Sequence, residues 1–145
     1  MRSRNVWLGV GLALGLGILA LSVLYRTTVD APDARVGVAG GSYTQISALR
    51  LKRMFTAKDF FLVNVQMPYA GEIAQTDLLI ANEQIAQNWE RLPQSKDTQI
   101  VVYCLIGEKS ATAAALLVRQ GYTKVWMLDR GMVAWLLAGE PLVRK

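Results

Sequence analysis

The sequence predicts an α/β domain: a doubly wound parallel sheet flanked by helices, preceded by one N-terminal transmembrane helix. Three observations carry this expectation. Residues 60–65 (FFLVNV) and 100–103 (IVVY) are near-continuous apolar runs, the pattern of strands buried on both faces. Amphipathic segments separate such runs along the chain, as the crossovers of a parallel sheet require. Residues 6–25 (VWLGVGLALGLGILALSVLY) carry no charge at all.

Composition narrows the possibilities. The chain has 145 residues, 52% hydrophobic and 19% charged, enough for one domain with a core and too few for two ordinary ones. It contains no His, which excludes Ser–His–Asp and Cys–His nucleophile pairs and any His general base. With one Cys, Cys104, no intramolecular disulfide or multi-cysteine metal site can form. No metal or organic cofactor is suggested. Arg2, Arg4 and Arg26 account for most of the net charge of +5. Without them 13 basic residues face 11 acidic ones, mixed in sign along the chain. No basic stripe remains, so no nucleic-acid partner is expected.

As a helix rising about 1.5 Å per residue, residues 6–25 span roughly 30 Å, the thickness of a bilayer core. Trp7 and Tyr25 stand at its ends, where aromatic rings favour the interface. Arg2 and Arg4 precede it, and Asp30 and Asp33 follow Arg26. The positive-inside rule then puts the N-terminus in the cytoplasm and the domain outside, as a single-pass membrane protein. Ala20-Leu21-Ser22 offers a signal-peptidase site, but residues 23–25 continue the apolar run past it, so the segment reads as a retained anchor. Gly11 and Gly15 form a GxxxG pair; glycine is common in membrane helices without pairing them.

Residues 1–26 are thus read as the anchor, 27–41 as a linker interrupted by Pro32, Gly37, Gly40 and Gly41, and 42–145 as the folded domain. Ser47 can cap a helix carrying Leu51, Met54 and Phe55. Residues 78–80 are a short strand. Asn82 can cap a helix with Ile85, Trp89 and Leu92 inward and Pro93 as its stop. Residues 110–120 are Ala-rich and helical, ended by Gly121. Residues 125–128 form a strand, and 132–138 a last short helix with Trp135 inward and Gly139 behind it.

Cys104 ends a buried strand and is followed by Leu105, Ile106, Gly107, Glu108, Lys109 and Ser110, then a helix. In a parallel sheet, ligands bind beyond the carboxyl ends of the strands. A loop entering a helix N-terminus presents free backbone N–H groups and the positive end of the dipole. Such a loop favours a thiolate, or an anionic group carried on its sulfur. The spacing alone leaves two readings, a nucleophilic thiolate or a small buried hydrophobe.

The surrounding residues add to this. Residues 101–104 (VVYC) with Gly107, Lys109 and Ser110 resemble the active-site loop of the rhodanese family, C-R-x-G-x-R-S. Residues 121–135 (GYTKVWMLDRGMVAW) are similar to its C-terminal G-[FY]-x-x-V-x-x-L-x-G-G-[MI]-x-x-W signature, and residues 61–73 (FLVNVQMPYAGEI) to its L-[IL]-D-V-R-x-x-x-E-[FY]-x-x-G-H-I segment. The resemblance covers roughly residues 43–142. It implies a rhodanese-type sulfurtransferase: Cys104 takes a sulfane sulfur from a small donor such as thiosulfate or polysulfide. The resulting persulfide passes it to a thiol or cyanide acceptor, while the loop from Leu105 to Ser110 cradles the persulfide. A sulfur-binding or interaction module without turnover is the alternative, and no protein partner is indicated.

Several positions depart from the pattern. Leu105 stands where the family often has Arg, Asn64 for Asp, Gln66 for Arg, Glu72 for His, and Arg130 for one Gly of the Gly-Gly pair. Leu105, with the negative charge that Glu108 adds, makes the loop less cationic and less suited to thiosulfate, and the Asn64 and Gln66 changes imply altered polar contacts more than lost chemistry. The sixth residue after Cys104 is Ser110, so no Arg closes a C-x5-R phosphatase loop. With no resolving cysteine in the chain, a thiol-redox role is the weaker reading, open only through an intermolecular disulfide. Trp89, Trp126, Trp135, Met54, Met127 and Met132 read as core, and Glu72 and Asp77 as surface loop residues. Lys109 is either a solvated lysine or a substrate contact, and Ser110 is a helix cap first and a loop donor second.

Overall fold

The computed structural model describes residues 16–25 and 30–145. Of the expected anchor, residues 6–15 lie outside the described residues. Residues 16–25 are helical (helix α1), and all of their side chains are exposed. Among the described residues no helix is long and apolar enough to cross a membrane.

The domain is a six-stranded sheet in the order β1-β2-β7-β6-β3-β5, with a small two-stranded sheet beside it. Strands β1 (Ala34–Val38) and β2 (Gly41–Ile46) form an antiparallel hairpin. Every other pairing in the large sheet is parallel, among β2, β7 (Val125–Leu128), β6 (Ile100–Tyr103), β3 (Phe61–Asn64) and β5 (Leu78–Leu79). The hairpin begins inside the stretch expected as a linker, which corrects that boundary. Strand β1 is an edge strand with mostly exposed residues, so no buried face marks it in the sequence.

The strand β6 lies at the centre and is wholly buried. Ile100 and Val102 face one core, with Ala113, Ala114 and Leu117 of helix α3 (Glu108–Arg119). Val101 and Tyr103 face the other, with Leu51 of helix α2 (Ala48–Met54) and Met132 and Trp135 of helix α4 (Gly131–Leu137). This two-sided burial is why the run has no polar alternation. Each buried Val, Leu, Ile or Met among them contributes roughly 1.5–3 kcal/mol relative to exposure.

Ser47 caps α2 as expected, its Oγ accepting the Arg50 N–H at 3.2 Å. Lys52 and Arg53 in the last turn complement the helix dipole. Residues 82–92 depart from the expected α-helix. They form two 3-10 turns, Asn82–Gln87 and Trp89–Arg91, and Asn82 makes no capping bond. Asn88 breaks the helical path at φ −136° and ψ 41°, and Leu92 is extended ahead of Pro93. Ile85 and Leu92 are nonetheless buried, so the spacing identified an inward face correctly and its backbone wrongly. The two-residue strands β4 (Glu72–Ile73) and β8 (Leu142–Val143) pair antiparallel; they are too short to leave a period.

Candidate active site

Parallel pairing on both sides of β6 brings Cys104 to the carboxyl end of the sheet's central strand. The chain then turns through Leu105 and Ile106 to Gly107, whose φ of +108° is left-handed, and enters α3 at Glu108. The helix starts two residues earlier than the sequence reading had it. Ser110 therefore sits inside the first turn and Gly107 occupies the N-cap position.

The sulfur is buried, with Cys104 1% exposed. The Gly107 N–H donates to Sγ at 3.1 Å, and Ser110 Oγ lies 3.5 Å from it. Ser110 Oγ also donates to the Gly107 carbonyl at 2.9 Å. Burial alone pushes the thiol pKa up. Hydrogen bonds from the Ser110 hydroxyl and from the backbone N–H groups of Ser110, Gly107 and Ile106 outweigh it, and the net shift is downward. The small-hydrophobe reading accounts for the burial and leaves these convergent donors unexplained.

The loop's other backbone groups are tied outward. The first N–H groups of α4 take up its carbonyls: Met132 N–H donates to Cys104 O at 2.9 Å and Val133 N–H to Leu105 O at 3.1 Å. Such N-terminal helix amides have no partner within their own helix. This contact needs Gly131, because a Cβ there would lie 2.0 Å from Cys104 O. Of the family's Gly-Gly pair the chain keeps the glycine that touches the loop. Arg130 at the other position takes a left-handed φ of 52°.

Gln66 holds the opposite side. Its Oε1 accepts the Leu105 N–H at 3.1 Å and its Nε2 donates to Pro68 O at 3.3 Å. Asn64 Oδ1 accepts the Gln66 N–H at 3.0 Å, and its Nδ2 donates to Gly71 O at 3.1 Å. Both side chains are buried. The two substitutions thus keep a polar support for the loop, by neutral amides. A buried Gln accepts an N–H where an Arg can only donate.

Among the sequence-selected loop residues, Ile106, Gly107 and Ser110 turn N–H groups to the sulfur, whereas the Leu105 N–H is occupied by Gln66. Glu108 is exposed. Lys109 Nζ donates to the Met67 carbonyl, so it is not a freely solvated lysine. The supporting roles of Gln66 and Gly131 are not predicted by the sequence, although both lie within the family-like segments 61–73 and 121–135. Glu72 also departs from its reading: it is 2% exposed and pairs with Lys145 at 2.8 Å. Asp77 accepts the Leu62 N–H at 2.8 Å and Lys58 Nζ at 2.6 Å. Trp135 is buried as expected, its Nε1 donating to Pro141 O at 3.1 Å. Trp89 and Trp126 are half-buried.

A parallel sheet with a buried cysteine at its central carboxyl edge, enclosed by a turn of backbone amides, defines an α/β protein with a cysteine loop at the head of a helix. The family model for the rhodanese-like domain matches residues 62–138, and the chain belongs to that family. A sulfurtransferase of Allochromatium vinosum is 34% identical over 96 residues, spanning 63% of this chain and 86% of that protein. A tRNA uridine(34) hydroxylase of Enterobacter sp. is 22% identical over 124 residues, 81% of this chain and only 36% of the relative. Among solved structures, a rhodanese-related protein from Thermoplasma volcanium superposes with a TM-score of 0.61 at 25% identity, covering 70% of this chain and 98% of that one.

Proposed function

We propose that the protein is a sulfurtransferase working through a Cys104 persulfide. The Cys104 thiolate attacks the outer sulfur of thiosulfate or a polysulfide. A new S–S bond forms as the old one breaks, and its electron pair leaves with sulfite or the shortened polysulfide. A cyanide or thiolate acceptor then attacks the terminal sulfur and the Cys104 thiolate returns. The observation that carries this reading is the convergence of donors on Sγ, with the Gly107 N–H at 3.1 Å. Donors arranged that way stabilise sulfur-borne negative charge before and after transfer. The likeness to a sulfurtransferase agrees with it.

The test is mass spectrometry of the full chain after exposure to thiosulfate and to polysulfide, followed by thiocyanate production with cyanide. One sulfur atom gained on Cys104, absent in Cys104→Ala, with steady-state turnover, is the expected result. Loading without turnover indicates a sulfur-binding module, and no loading with any donor refutes the proposal.

The proposal extends to location: a domain held outside the cytoplasm by residues 6–25. Its support is the uncharged run preceded by Arg2 and Arg4. Recovery of the full chain in washed membranes, with the domain open to external protease in spheroplasts, is the expected outcome. Recovery in the soluble cytoplasmic fraction overturns it.

A further inference from the structure

Among the described residues, the groups that meet Cys104 Sγ are uncharged, the Gly107 N–H and the Ser110 hydroxyl, and the first two loop side chains, Leu105 and Ile106, are apolar and face outward. Leu105 is 36% exposed and Ile106 56% exposed, although buried residues flank the pair in Cys104 and Gly107. Val133, joined to Leu105 through the backbone bond at 3.1 Å, is 38% exposed. Among the described residues, Lys109 donates to the Met67 carbonyl and Arg130 lies 4.0 Å from Asp129. Glu108 adds an exposed negative charge at the start of α3. A thiosulfate dianion gains little from such a lip, whereas an apolar group beside the transferred sulfur loses water-exposed surface against Leu105 and Ile106.

We infer that Leu105 and Ile106 make this site selective for sulfane sulfur on a donor with an apolar carbon group and one negative charge, rather than for thiosulfate. The inference rests on the sulfur-transfer reading above and names its substrate class. The thiosulfonates, R–SO2–S−, represent that class and differ from thiosulfate in one substituent. The step balances in the same way. Cys104 Sγ bonds to the outer sulfur, the bond to the sulfonyl sulfur breaks, and the electron pair leaves with the sulfinate R–SO2−.

The experiment measures kcat/KM of the full chain with thiosulfate, methanethiosulfonate and benzenethiosulfonate, with cyanide as acceptor, in wild type, Ile106→Ser and Leu105→Ser. Both side chains are exposed, so both variants retain the fold. The benzenethiosulfonate-to-thiosulfate ratio is expected to fall about 3–10-fold in each variant, with a smaller fall for methanethiosulfonate. Comparing ratios between variants removes the donors' intrinsic reactivities. Ratios within twofold of wild type in both variants, with turnover intact, overturn the selectivity and leave sulfur transfer standing. Thiocyanate at the Cys104→Ala background with every donor, and no sulfur on Cys104, overturns both.

Discussion

Replacing Gly131 by Ala tests the contact between α4 and the Cys104 loop. The added Cβ would lie 2.0 Å from Cys104 O and 2.9 Å from the carbonyl carbons of Cys104 and Leu105. Real Cβ atoms essentially never come closer than 3.0 Å, so helix and loop must separate by about 1 Å. The obstacle is backbone, which cannot rotate away as a flexible side chain does. That separation breaks the bonds from Met132 N–H to Cys104 O and from Val133 N–H to Leu105 O. Two buried hydrogen bonds at about 1 kcal/mol each, overpacking of about 1–3 kcal/mol, and about 1–2 kcal/mol for a left-handed Ala sum to roughly 4–7 kcal/mol. A domain's total stability is about 5–15 kcal/mol, so the variant loses a large fraction of it. Gly139→Ala is the control: its φ is +82°, with nothing within 4 Å, and it costs only about 1–2 kcal/mol. Urea denaturation gives the two midpoints, and a thiol probe titrated against pH reports the loop. The reasoning is refuted if Gly131→Ala costs no more than Gly139→Ala and leaves the thiol titration where it was.

Three further predictions concern the loop and its supports. Ser110→Ala removes a donor that lowers the Cys104 pKa, so thiol-probe reactivity should titrate at higher pH than in wild type; an unmoved or lower titration counts against the assigned role. Because the folded Cys104 pKa lies below its ordinary value of 9.0, the thiolate's contribution to stability is complete above pH 9.0. It is lost as pH falls through the folded value, and denaturation of Cys104→Ala across that range should lack this dependence. Gln66→Leu removes the partner of the part-buried Leu105 N–H and should cost about 0.5–1.5 kcal/mol in urea denaturation, with slower loading of Cys104 by polysulfide. Away from the loop, Tyr103→Phe removes the acceptor of the Ile73 N–H and the partner of Thr76 Oγ1. The expected loss is again about 1–3 kcal/mol in a thermal or urea melt, with Cys104 reactivity unchanged.

Elements whose physics is local can be read from the order of residues. Strands β6 and β7 and the cap at Ser47 follow from unbroken apolar runs and from a hydroxyl just ahead of a helical period, and the structure has them at those residues. Cys104 was legible for the same reason: it follows a buried strand and precedes a glycine-containing turn into a helix. Tertiary structure alone decided what surrounds the sulfur. Whether Lys109 meets a substrate or the Met67 carbonyl depends on a residue 42 positions away. The role of Gln66 depends on an N–H 39 positions away. The obligation on Gly131 arises because α4 folds back onto the loop after Cys104. Periodicity reports which face of an element is buried but not which partner covers it. An exposed edge such as β1 or a pairing as short as β4 with β8 has no period to report. A hydrogen bond closed across the sheet leaves no trace in either neighbour's own sequence, so the polar frame of the loop came into view only with the fold.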